Sequence, residues 1–161
     1  MSLQQIQNSP FVCLATVPVV AFLAAVPHWY SIALARRHKT SPPFDLGNPR
    51  RWVAGLQFKA ASGHKLTPVE TLVLQGQACQ QNGFEHLPIY AVALLTGIVA
   101  KLPPSTLNKI AIFYVISRII YVYLYLNIHT GMKALWRTIA FNSGYLSLVY
   151  IFFNAASTGL F

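Results

Sequence analysis

The stretch Gln81-Asn82-Gly83-Phe84-Glu85-His86-Leu87-Pro88-Ile89-Tyr90 decides how this chain is read. It lies in a run from about Thr71 to Ala100 whose single charge is Glu85. That run exceeds the roughly 20 residues needed to cross a bilayer core. Asn82, Glu85 and His86 nevertheless recur at i, i+3 and i+4, which places all three on one helical face. An ionisable group at membrane depth is costly and normally faces protein, where it finds a partner. The stretch therefore predicts a membrane helix carrying a polar site, with Pro88 placed to kink it just beyond the cluster.

The next apolar run, about 110–132, has Arg118 as its only charge. Arg118, Tyr121 and Tyr125 fall at i, i+3 and i+7, again on one face, and Tyr114 extends the stripe by a turn. At ~1.5 Å per residue, Glu85 and Tyr125 lie at one depth relative to the loop between the two runs. Arg118 is the expected partner of Glu85, in the same chain or a neighbouring one. Two further runs complete the set, at about 8–34 and 138–161. The expected fold is an all-α, integral-membrane four-helix bundle forming one domain over residues 1–161. The first run has no basic residue ahead of it and ends in Arg36-Arg37, so it reads as a retained helix rather than a signal peptide.

Composition supports the same class. Apolar residues make up 55% of the 161 and charged residues only 9%, too few to clothe a soluble globule, in which about a quarter of residues are charged. The net charge of +9 invites a nucleic-acid reading. The map of that charge excludes it: seven of the twelve Lys and Arg (Arg36, Arg37, Lys39, Arg50, Arg51, Lys59, Lys65) fall in one segment, 36–65. Basic loops stay on the cytosolic side, so this segment and the one holding Lys133 and Arg137 are expected there, and both termini on the luminal side. The segment 36–65, broken by Ser41-Pro42-Pro43 and Gly47-Asn48-Pro49, reads as irregular chain. Cys13 and Cys79 read as small packing residues, His28 as packing, and Arg36-Arg37-His38-Lys39 as a lipid-headgroup anchor. No metal-ligand spacing and no phosphate loop is present.

Interhelical hydrogen bonding alone would account for Asn82, Glu85 and Arg118. One acid, two phenols, an imidazole, an amide and a guanidinium directed inward favour a polar ligand pocket opening toward the basic face.

These residues resemble the MAPEG family, small membrane proteins of eicosanoid and glutathione metabolism, and its fungal branch in particular. Residues 81–90 are similar to its Asn-x-x-Glu-x-x-Pro signature, and Arg118, Tyr121 and Tyr125 to its Arg-x-x-Tyr-x-x-x-Tyr. Asn48-Pro49-Arg50, Arg36-Arg37 with Ser41-Pro42-Pro43, and Arg137-Thr138 with Phe141 complete the resemblance. It implies a homotrimer in the endoplasmic reticulum membrane, acting on a lipophilic small molecule among membrane lipids, with glutathione bound between protomers. Asn82, Glu85, Arg118, Tyr121, Tyr125, Lys133, Thr138 and Arg36 or Arg37 would line that pocket. Arg137 would stabilise a thiolate, with Glu85, His86 and Tyr125 as further catalytic groups. Gln75 and Ala78 stand where family members carry an Arg, and Lys133 is placed to substitute for it.

Three functions follow from the resemblance. The first is a glutathione-dependent transferase, peroxidase or isomerase. The second is a glutathione-independent cyclase or isomerase of a hydrophobic natural product, as in fungal secondary metabolism. The third is a non-catalytic lipid-binding membrane partner.

Overall fold

A computed structural model describes residues 9–128 and 134–158. Among them are five helices and no strand: α1 (Phe11–Arg37), α2 (Pro49–Ala61), α3 (Pro68–Val99), α4 (Pro104–Asn127) and α5 (Leu135–Ser157). The all-α expectation holds. Three of these helices, α1, α4 and α5, are long and apolar enough to cross a membrane. The 32-residue α3 is not among them, because its middle carries Gln75, Gln77, Gln80, Gln81, Asn82, Glu85 and His86.

Helix boundaries follow local chemistry. Prolines at the first helical positions of α2, α3 and α4 start each helix where a missing N–H costs nothing. Thr67 and Glu70 close a capping box at the start of α3. The α3–α4 connection is tight: Leu102 N–H donates to Gly97 O and Lys101 N–H to Ile98 O, with Lys101 at φ +55°. Thus α4 begins six residues ahead of the expected 110, at Pro104, and ends at Asn127 rather than 132. Helix α5 starts at Leu135, three residues before the expected 138.

The basic segment is not irregular throughout, as its Pro and Gly content suggested. Residues 49–61 form α2, because Trp52 and Leu56, one turn apart, bury against Val73 of α3 and Ala35 of α1. Lys59 then reaches Glu70, and the two form the single ion pair among the described residues, at 2.8 Å. Glu70 also accepts from Ser41 N–H at 2.8 Å and Thr67 N–H at 2.9 Å. Burial by itself pushes this carboxyl up. The Lys59 hydrogen bonds, those two backbone donors and the Lys59 charge outweigh it and hold the pKa at about 2.

Small residues set the α1–α3 distance. A Cβ at Gly83 would stand 2.9 Å from Ala24 Cβ, and one at Gly76 would collide with Ser31 and stand 2.8 Å from Pro27 O. Ser31 Oγ bridges the helices by donating to Val73 O at 3.2 Å. Close backbone approach through small residues is how helices pack where lipid removes the hydrophobic drive. One end of the bundle is a core around Tyr90, Leu94, Leu107, Tyr114, Leu148 and Ile151, in which the Tyr90 and Tyr114 rings stack at 4.2 Å. The other end, around Cys79, Tyr121 and Ala140, is more polar and carries the site.

Candidate functional site

Three helices build the site. Asn82 comes from the middle of α3, Tyr121 and Tyr125 from successive turns of α4, and Arg137, Thr138 and Phe141 from the first two turns of α5. Together they line a cavity of about 300 Å³. Asn82 Nδ2 donates to the Tyr121 hydroxyl at 2.9 Å, which pins one phenol. The Tyr121 ring meets Tyr125 at 5.3 Å and Phe141 at 5.1 Å. The Arg137 guanidinium lies 4.6 Å from the Tyr125 ring centroid, within cation–π range. Five residues singled out from the sequence (Asn82, Tyr121, Tyr125, Arg137 and Thr138) thus share one wall.

Other candidates sit elsewhere. His86 packs edge-on against Phe141 at 4.3 Å and Tyr145 at 5.6 Å, behind the cavity. Its Nδ1 is buried with no hydrogen-bond partner among the described residues. Glu85 points outward, is exposed in the single chain, and accepts from Gln81 Nε2 at 2.9 Å. The expected pairing of Glu85 with Arg118 is therefore not made within one chain. The two helices face each other through Asn82 and Tyr121, which turns Glu85, three residues on, away from α4. Arg118 is 4% exposed and sits among rings instead. Its guanidinium is 4.6 Å from Tyr114, 4.6 Å from Phe141 and 5.6 Å from Tyr121, and Nη2 donates to Phe141 O at 2.5 Å. Arg118 thus stands behind the cavity wall and does not line it. Arg36 and Arg37 line a separate hollow at the end of α1. Lys133 lies outside the described residues.

Two features escaped the sequence reading. A hollow of about 510 Å³ between α1, α2 and α3 is walled by His28, Arg50, Gln57, Gln77, Gln80 and Gln81. His28 Nδ1 and the Gln77 amide make a hydrogen bond there at about 3.2 Å. The i, i+3, i+4 spacing of Gln77, Gln80 and Gln81 was the available signal. The Glu70 hub was the other, and its Thr-x-x-Glu cap was visible at 67–70.

The cavity holds one cation, a threonine hydroxyl, an amide and two phenols, a set suited to a thiol or carboxylate rather than a metal. Among the described residues no three His, Cys, Asp or Glu side chains cluster as a metal site requires. The same set suits the thiol end of glutathione. The carboxylates of that tripeptide call for further cations, which the described residues of one chain do not bring to this cavity. At the helix position where an Arg was expected, Gln75 Oε1 is buried with no partner among the described residues.

A model of the MAPEG family matches residues 14–157, nearly the whole chain. No curated protein and no solved structure matches it.

Proposed function

We propose, since the chain belongs to the MAPEG family, that it is a membrane enzyme that joins or isomerises a lipophilic substrate with the help of glutathione. One observation carries this reading: Arg137 and Thr138 share a cavity with Asn82, Tyr121 and Tyr125. Glutathione supplies a sulfur nucleophile when bound. Arg137 is the fixed cation that favours the charged form of a thiol beside it. Tyr125, under the guanidinium, holds that cation in place. Asn82 and Tyr121 hold each other, so the amide oxygen and the second phenol face the ligand in a fixed orientation. The electrophile arrives from the bilayer along the exposed apolar faces of α4 and α5.

Assembly completes the site in this reading. Gln81 and Glu85 form an exposed polar face on α3, at a depth where lipid offers no partner. A second and third copy of the chain cover it, with α3 as the fourth membrane span. Arg36 or Arg37 of a neighbour then supplies the further cation. Native mass spectrometry in mild detergent reads the copy number: three is expected, and one would contradict the arrangement. The fungal-type loop motif, the endoplasmic reticulum membrane and luminal termini belong to the same proposal.

A second reading, a glutathione-independent cyclase or isomerase, is favoured by Gln75 and Ala78 and by the unpartnered Nδ1 of His86. Calorimetric titration of glutathione into the solubilised protein separates the two. Saturable binding supports the first, and turnover without binding supports the second.

A further inference from the structure

Helix α2 is fastened to the bundle at few points. Only Trp52 and Leu56 of its 13 residues are buried, in a cluster completed by Ala35 of α1 and Val73 of α3. Trp52 has two further partners: Thr40 Oγ1 accepts from its Nε1 at 3.2 Å, and the Phe44 ring meets it edge-on at 4.9 Å. Both belong to the chain that leads into α2 and can travel with it. Most of the remaining helix surface is exposed, Phe58 to 74%.

Away from that cluster, α2 stands off its neighbours. The hollow of about 510 Å³ separates it from α1 and α3, and a second of about 270 Å³ lies between α2 and α3 alone. The two share Val53 and Gln57 of α2 and Gln77, Gln80 and Gln81 of α3, so they form one chamber. Its polar walls are amides, the His28 imidazole and the Arg50 guanidinium, which has no acid at ion-pair distance among the described residues. A helix that buries so little apolar surface, over a polar space, belongs to the part of a fold that opens first.

Glu70 closes this arrangement. Its Oε1 accepts from Ser41 N–H, in the chain entering α2, at 2.8 Å. Both its oxygens accept from Lys59 Nζ, on the last turn of α2, at 2.8 Å. One buried carboxylate at the start of α3 thus holds the helix and the strap that precedes it. The chain can turn on either side: Gly47 precedes α2, and Gly63 follows it at φ +76° in open space.

We propose that α2 is a lid latched by Lys59 on Glu70, and that its opening admits polar molecules from the water side to the chamber along α3. The latch involves neither Arg137 nor glutathione, so it stands independently of the chemistry proposed for them.

Hydrogen exchange of the full solubilised chain, read by mass spectrometry without any ligand, tests the latch. Amides of 50–61 should exchange together, at least about tenfold faster than the abutting turns 31–37 of α1 and 70–77 of α3. Lys59→Met keeps the apolar stem and removes the charge. It should speed exchange of α2 about 10- to 150-fold, the loss of a charge-assisted hydrogen bond, and leave α4 and α5 unchanged. Ala78→Cys, at a half-buried position on the chamber wall in a Cys13/Cys79-free background, ties opening to access. A dye-bearing maleimide should label it faster in Lys59→Met, by the factor seen in the exchange of α2. Exchange of α2 no faster than that of the abutting turns would overturn the lid, and this comparison needs no variant. Equal acceleration of every helix in Lys59→Met, or labelling of Ala78→Cys unmoved by it, would overturn it equally.

Discussion

The guanidinium of Arg137 rests 4.6 Å from the centre of the Tyr125 ring, and this contact joins the start of α5 to the last turns of α4. A stacked arginine loses little freedom when a ligand arrives, which is what a charge-stabilising group requires. Replacing Tyr125 by Phe keeps the ring under the cation, whereas Leu removes it. A cation–π contact is worth about 0.5–2 kcal/mol. Conjugation of glutathione to a chlorodinitrobenzene probe should thus fall about 2- to 30-fold in Tyr125→Leu and clearly less in Tyr125→Phe. Equal losses in both would assign the role to the hydroxyl instead.

Stability should depend on pH through Glu70. Its folded pKa of about 2 lies below the ordinary 4.5, so its contribution is fully present above pH 4.5 and is lost as pH falls toward 2. The lost contribution is on the order of 2–3 kcal/mol for so buried a carboxylate. Thermal melts of the solubilised protein should show this fall, and Glu70→Gln should melt lower at neutral pH with a flatter acid limb. An unchanged acid limb in the variant would assign the acid sensitivity to other groups.

Gly144 leaves room for the buried arginine. A Cβ there would collide with Arg118 Nη2 and Ser117 Oγ. Gly144→Ala should destabilise the bundle by about 1–3 kcal/mol, the cost of overpacking a filled core. Combining it with Arg118→Ala should cost less than the sum of the two single changes. Additive melting shifts would mean that the added methyl and the guanidinium do not compete for space.

The grouping of five residues around the candidate cavity was legible in the sequence, and the reason is periodicity. Asn82, Tyr121 and Tyr125 lie on the inner stripes of their helices, and Arg137-Thr138 opens α5, so helical spacing brought them together. Spacing alone does not say which of three clustered residues faces inward. Asn82 took the place facing Tyr121, and Glu85 was turned out. Arg118 was expected to need an acid, yet in one chain it lies among the rings of Tyr114, Tyr121 and Phe141 and donates only Nη2, to a carbonyl, which leaves Nε and Nη1 without a partner among the described residues. Two of those rings are on its own helix. Helix α2 was hidden because Pro and Gly around it read as irregular chain, while its anchors, Trp52 and Leu56, bury in a cluster completed by Ala35 of α1 and Val73 of α3. The Glu70 hub draws Ser41, Lys59 and Thr67 from three segments, and no local pattern announces that convergence.

Orientation is open to direct labelling. Both native cysteines are buried, so a Cys13/Cys79-free background removes little from the surface. A cysteine at exposed Ser62 should react with an impermeant maleimide from the cytosolic side of sealed vesicles, because basic segments remain there. Reaction from the luminal side alone would reverse the topology.

Arg137 is the group proposed to charge a thiol, and the ultraviolet absorbance of bound thiolate reads this without any knowledge of the electrophile. Titrating glutathione into the parent protein should raise that absorbance to saturation. Arg137→Ala should bind glutathione about 10- to 150-fold more weakly than the parent but still saturably, the loss of a single charge-assisted hydrogen bond, while giving no thiolate signal. A thiolate signal undiminished in Arg137→Ala, or none in the parent at saturating glutathione alongside substrate turnover, would contradict the account.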